Sequence, residues 1–268
     1  MKLSQWRPIT ERLLVLSFMD LKLKYQSGVL GFFWSFFKPL IQFFAYYVIF
    51  GIMLKVGKSV YYPFELFLGI LTWAWFSEST ILGMSSFINK KPIITQIAMN
   101  RLYPPLAAFF SPSMNYLLNM LVFFSAYLIF FQDDLFHQTA YMFLQGFAVF
   151  LQAILTMSIV IISMNILLAY LNARFRDIQA IWELVIMYGI FVTPIFYNLP
   201  ISPEYQTLYF VLNPLALPLL LLKSVFFPVL LPHLNYWGYG LHYCMIAFLL
   251  ILSLKLHQRF RLTIADFI

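Results

Sequence analysis

Six stretches of this chain are each long and apolar enough to cross a bilayer as a helix: Trp34 to Leu54, Glu65 to Phe87, Leu106 to Phe131, Tyr141 to Tyr170, Ile178 to Tyr197 and Trp237 to Leu256. A spanning helix needs about 20 mostly apolar residues. In lipid, every backbone N–H and C=O must find its partner inside the protein. The pattern therefore selects an all-α polytopic membrane protein with six transmembrane helices. Composition agrees: only 10% of the 268 residues are charged and 62% are hydrophobic, too little charge to coat a soluble domain.

A seventh apolar stretch, Leu215 to Leu231, is bracketed and interrupted by Pro214, Pro218, Pro228 and Pro232, each of which removes a helix donor. Charge decides its reading. With six spans and both termini in the cytoplasm, all but Lys55, Lys58 and Lys223 of the 17 Lys and Arg fall on the cytoplasmic side. A seventh crossing would send the basic stretch Lys255 to Arg261 outward. Residues 198–235 are accordingly read as an external re-entrant helical pair capping a pathway, because irregular backbone at membrane depth needs protein or a water-filled cavity around it. The net charge of +7 does not indicate nucleic acid, since the basic residues lie singly or in pairs between apolar runs. Cys244 is the one cysteine, so no intrachain disulfide forms. The first residues do not read as a signal peptide: the apolar core Leu13 to Phe18 is short and follows Glu11 and Arg12.

Ahead of the first span, Leu14, Phe18, Leu21 and Tyr25 recur at helical spacing and form one apolar stripe. Lys22 and Lys24 take other faces, and Asp20 stands four residues before Lys24, as a weak helical ion pair requires. This describes an N-terminal amphipathic interface helix lying among lipid headgroups. Gly28 and Gly31 permit the bend from lying along the membrane to crossing it. The alternative is an amphipathic lead-in that only sets topology.

The set Asp20-Leu-Lys, Tyr25, Leu30-Gly31, Trp34 and Pro39-Leu40 resembles the N-terminal elbow of ABC-2 type permeases that export bacterial polysaccharides. Phe175-Arg176-Asp177-Ile178, the span ending Thr193-Pro194-Ile195-Phe196-Tyr197, and the later Asn213-Pro214 resemble the second half of the same family. The resemblance covers nearly the whole chain. It implies a single transmembrane domain over 1–268, with interface helix and elbow at 1–31, spans one to five over 34–197, the external segment at 198–235, the sixth span at 237–256 and a cytoplasmic tail at 257–268. It further implies a homodimer in the bacterial inner membrane, bound to two copies of a cytoplasmic ATPase and moving a lipid-linked glycan of O-antigen, capsule or teichoic acid type. ATP and magnesium would sit on that partner, with no cofactor in this chain. The nearest thing to a phosphate-binding loop, Gly51 to Ser59, has five residues between its glycines where the motif has four.

The segment Asn89 to Leu106 places Lys90, Lys91 and Arg101 around a short core, with Pro92 able to start a helix and Pro104-Pro105 to stop it. The resemblance implies a coupling helix seated in a groove of the ATPase; the alternative is a loop held at the lipid surface. At the cytoplasmic start of the fifth span, Arg176, Asp177 and Glu183 cluster: Asp177 suits an N-cap, and Glu183 is placed to pair with Arg174 or Arg176. Tyr46 and Tyr47 in the first span and Trp182 and Tyr188 in the fifth are candidates for a glycan pathway, since rings stack on sugar C–H faces. Packing against lipid or neighbouring helices is their other reading. The four histidines have no metal-ligand spacing, and no nucleophile has an adjacent base. A membrane-embedded glycosyl or acyl transferase and a secondary transporter remain the competing classes.

Overall fold

The computed structural model describes residues 33–57, 59–96, 100–131, 140–197, 202–227 and 236–260. The described elements are all helical: α1 (Trp34–Tyr46), continued by a π-helical turn (Tyr47–Met53), α2 (Tyr62–Asn89), α3 (Lys91–Gln96), α4 (Tyr103–Phe130), α5 (Ala140–Arg174), α6 (Ile178–Val192), α7 (Pro203–Leu212), α8 (Ala216–Phe226) and α9 (Tyr236–Phe260). Among the described residues, five stretches have the length and apolarity to cross a membrane, namely α1 with its π-turn, α2, α4, α5 and α9. The chain is an all-α, multi-pass membrane protein. The interface helix and elbow, with Asp20, Lys22, Lys24, Tyr25, Gly28 and Gly31, lie outside the described residues.

The fifth predicted span differs from its reading as a helix over Ile178 to Tyr197. Helix α6 stops at Val192, because Thr193 precedes a proline and takes an extended conformation with φ −83° and ψ 142°. Fifteen residues make about 22 Å of helix, short of a ~30 Å hydrocarbon layer. A turn from Thr193 to Tyr197 continues the path, with Thr193 to Phe196 buried.

The proline-rich stretch resolves into α7 and α8, bent by 105° at the break between them. Each described proline of this stretch takes a place that a helix tolerates. Pro203 opens α7, Pro214 lies in the break, and Pro218 sits in the first turn of α8, where its missing N–H would have no helical partner. From Ala216 to Lys223 every side chain of α8 is buried, so this element is packed inside the bundle.

Helix α2 is the axis of the fold, and small residues let its neighbours approach. A Cβ on Gly83 would fall 2.5 Å from the Asn165 side chain of α5, and one on Gly69 would fall 3.0 Å from Ile195. Trp75 of α2 stacks on Tyr116 of α4 with centroids 4.5 Å apart. Asn165 donates to the Pro105 carbonyl at 3.3 Å and Asn172 to the Met84 carbonyl at 3.2 Å, tying α5 to α4 and α2 with partners that lipid does not offer. Helix α9 joins α5 through Gln152 with Tyr243 at 2.6 Å and Tyr170 with His257 at 2.7 Å.

The turn from α1 into α2 is built around Tyr62. A Cβ on Gly57 would lie 1.9 Å from the Tyr62 ring, so only glycine lets the chain pass over it. Lys55 just before takes a positive φ of 50° to reverse direction. The seating of Tyr62 sends its hydroxyl toward the α6 end of the bundle, where it donates to the Phe196 carbonyl at 3.1 Å.

Candidate functional site

Two ends of the bundle carry organised polar chemistry. The first is the close of α6. A helix leaves its last carbonyls without helical partners, and Pro194 brings no N–H to the turn that follows. Here those carbonyls are taken by side chains from elsewhere. Tyr197 donates to the Phe191 carbonyl at 2.9 Å, Tyr209 of α7 to that of Val192 at 2.7 Å, and Tyr62 of α2 to that of Phe196. Lys223 of α8 places its Nζ 2.8 Å from the Pro194 carbonyl oxygen and 3.0 Å from that of Ile195. Asn213 donates through Nδ2 to Thr193 Oγ1 at 3.1 Å, while its Oδ1 accepts the Leu215 N–H at 3.2 Å and shapes the α7–α8 break. Thus the Thr193 to Tyr197 and Asn213-Pro214 motifs, 20 positions apart from Thr193 to Asn213, are in direct contact.

The predicted pathway aromatics divide. Tyr46 belongs to a cluster in which its ring meets Phe196 at 4.8 Å and Phe191 at 6.3 Å, with Phe50 stacked on Phe196 at 4.3 Å. Tyr47 stacks on Phe43 at 5.7 Å. Trp182 donates its indole N–H to Thr80 Oγ1 at 3.1 Å and meets Phe76 edge-on. Tyr46 and Trp182 join helices within the chain, while Tyr47 stacks within its own helical stretch and is half-buried against the core. Tyr188 is 58% exposed and stands on the outward face of α6 with Ile181, Leu184 and Val185. The structure therefore does not bring the four onto one surface of the chain.

The second end holds α3. This helix is described over Lys91–Gln96, and Pro104-Pro105 open α4 instead of closing α3, since they occupy its first turn. Lys90 is buried, Lys91 and Pro92 are exposed, and Arg101 is half-buried, donating to the Ile94 carbonyl at 2.6 Å. Of the three cations placed around the short core, only Lys91 is fully on the surface. The anchor that sequence reasoning passed over is Ile94. It is 1% exposed and sits in a cluster with Phe87, Ile166, Ala169, Tyr170 and Ala173, so α3 is bound to the ends of α2 and α5.

At the start of α6, Arg176, Asp177 and Glu183 are all exposed. Asp177 occupies the N-cap position without a side-chain cap bond: its φ of −66° and ψ of −18° are already helical, whereas a capping residue turns away from helical geometry. Glu183 accepts from Gln179 one turn earlier at 3.0 Å rather than from the expected Arg174 or Arg176. The Arg174 guanidinium lies instead 5.4 Å from the Phe175 ring centroid and 5.6 Å from that of Phe260.

Sequence reasoning also undervalued Lys223 and Glu65. Lys223 was read as an external cation and is 1% exposed; Glu65, taken as the edge of a span, is 6% exposed in the first turn of α2. The signal was present: an ionisable residue inside the apolar run Leu219 to Phe227 is expensive in a membrane and therefore marks a partner or a function. Among the described residues, no group of three or more His, Cys, Asp or Glu is placed to hold a metal ion.

The chain is similar along nearly its whole length to proteins described as O-antigen export system permease protein RfbA. Two from Klebsiella pneumoniae are 28% identical over 254 residues and 26% over 256, each covering 95% of this chain and 93% of the relative. One from Myxococcus xanthus is 25% identical over 215 residues, covering 80% of this chain and 79% of the relative. No family model matches the chain.

Proposed function

We propose that this chain is the membrane-spanning permease subunit of an ATP-binding-cassette exporter that moves a lipid-linked polysaccharide out of the cytoplasm. The observation that carries the reading is similarity over 95% of the chain to O-antigen export permeases. It is supported by the contact between Thr193 and Asn213, which joins two of the motifs that resemble the family.

In this reading the α3 end faces the cytoplasm of a bacterial inner membrane, and the α6–α7–α8 end faces outward. A separate ATPase binds ATP and magnesium and docks against Lys91, Pro92 and the neighbouring surface of α3. Ile94, seated against the ends of α2 and α5, carries its motion into the bundle. Two copies meet around the glycan route, a symmetric arrangement that gives a polymer more room than one chain encloses. The outward face of α6 with Tyr188, together with α1, lies toward that route. The elbow residues Asp20, Lys22, Lys24, Tyr25, Gly28 and Gly31 hold α1 at the inner surface. Arg176, Asp177 and Glu183 provide a polar start to α6 at the same level. Tyr46, Tyr47 and Trp182 act by fixing α1 and α6 against their neighbours, which sets the width of the route.

The test is co-expression with a candidate ATPase in a host whose own exporter is deleted. Surface glycan restored only by both subunits, together with membrane-bound ATP hydrolysis that depends on this chain, is the expected result. Glycan export or transfer by this chain without an ATPase would refute it.

A further inference from the structure

Lys223 is a cation on a helix whose side chains from Ala216 to Leu222 are all apolar and buried. If packing were its whole role, a Leu or Met would fill the site without bringing a charge into the membrane interior. Its Nζ bonds two carbonyls, Pro194 and Ile195, and both belong to the unwound turn that ends α6. Neutral side chains serve the neighbouring carbonyls of Val192 and Phe196, so carbonyl capping alone does not call for an ammonium group. A buried carboxylate lies within electrostatic reach: Glu65, in the first turn of α2, acts on Lys223. Tyr62, in the same turn of α2, bonds the same unwound segment at Phe196.

We propose that Lys223 is a positioning residue with two seats, the Pro194 and Ile195 carbonyls when the outer end of the route is closed and Glu65 when it opens, so that α8 releases the turn without stranding a buried charge. The idea rests on the export reading above. The carbonyl seat ties the outer end of α6 to α8. When the Thr193 to Tyr197 turn swings away, the two carbonyls leave with it, and an ammonium with no other acceptor would oppose the motion. Glu65 stands on α2, the axis of the bundle, and stays. The ammonium then keeps an acceptor in both states, which lets the two lie close enough in free energy to interconvert.

The experiment reports on the turn itself and needs no transport. In a Cys244→Ser background, Ile195→Cys is labelled in intact cells with a membrane-impermeant maleimide, with and without Lys223→Met or Glu65→Gln. Lys223→Met removes the closed seat and is expected to speed labelling about tenfold or more, as loss of two charge-assisted bonds implies. Glu65→Gln leaves the carbonyl seat but weakens the open one, so labelling should slow below the parent rate. A purely structural strap predicts that both substitutions speed labelling. That result, or an unchanged rate in Lys223→Met, overturns the proposal. If Lys223→Met does not accumulate as folded protein, the direction of the Glu65→Gln effect decides alone. Surface glycan per permease, measured beside the labelling with the ATPase present, should fall in both variants. Opposite labelling shifts in a chain that exports nothing even without substitution would refute the export reading and leave the two-seat arrangement standing.

Discussion

Gly83→Ala is a small change with a large expected effect. The added Cβ would lie 2.5 Å from Asn165 Cγ, 2.6 Å from its Oδ1 and 2.7 Å from its Cβ, so the whole side chain is in the way. Asn165 is fully buried, and its Nδ2 holds the Pro105 carbonyl at the start of α4. To make room, α5 must shift from α2 or Asn165 must turn and lose that bond. Overpacking costs roughly 1 to 3 kcal/mol. Losing the hydrogen bond adds about 1 kcal/mol, for a total of roughly 2 to 4 kcal/mol. Gly240→Ala is the control, since nothing lies within 4 Å of its added Cβ, and an unstrained Gly-to-Ala change at a helical site is neutral to stabilising. The assay is reversible unfolding of the purified protein in mixed detergent micelles, run for both variants, Asn165→Ala and the Gly83→Ala/Asn165→Ala pair. Removing the Asn165 amide should relieve the contacts to Cγ and Oδ1, leaving the one to Cβ, so the pair should be more stable than the sum of the single effects by about 1 kcal/mol or more. Gly83→Ala as stable as Gly240→Ala, or strict additivity in the cycle, would refute this close contact between α2 and α5.

Three further outcomes are expected. Ile94→Ala should lower glycan exported per ATP hydrolysed while the ATPase still binds, because it empties a buried contact worth roughly 2 to 5 kcal/mol between α3 and the bundle; Lys91→Glu, at the exposed position, should instead weaken co-purification with the ATPase. Tyr188→Ala should reduce export normalised to abundance with unchanged detergent stability, whereas Trp182→Phe should lose about 0.5 to 1.5 kcal/mol of stability with its bond to Thr80, and the reverse pattern would exchange their roles. In a Cys244-free background, external reagents should label a cysteine at Asp133 and not one at Arg259; the opposite labelling would invert the assigned sidedness.

Several features were legible in the sequence because they depend on short windows. Apolar run length located α1, α2, α4, α5 and α9 to within a few residues, since lipid demands about 20 consecutive residues whatever they pack against. The prolines that bracket and interrupt Leu215 to Leu231 marked a helical pair in place of a seventh span, and α7 and α8 are bent by 105°. The same kind of reading carried α6 too far. It followed the apolar run to Tyr197 and gave too little weight to Thr193 preceding a proline. It also gave no sign that Lys90 and Arg101 are covered, because charge in a loop reads as solvated until a fold provides something to cover it.

Sequence by itself determined that this is a helical membrane protein, where its long helices lie and which chemistry is scarce within it. Tertiary structure alone decided what the rare polar groups do. Lys223 meets carbonyls 28 and 29 positions away, Tyr62 meets one 134 positions away, and Trp182 meets Thr80 across 102. Local pattern records that a buried lysine needs an acceptor, since desolvation forces one. Which acceptor it finds depends on how helices distant in the chain are laid against one another, and that is set by shape: glycines at Gly57, Gly69 and Gly83 that admit a neighbour, and a proline at Pro194 that frees a turn to receive one.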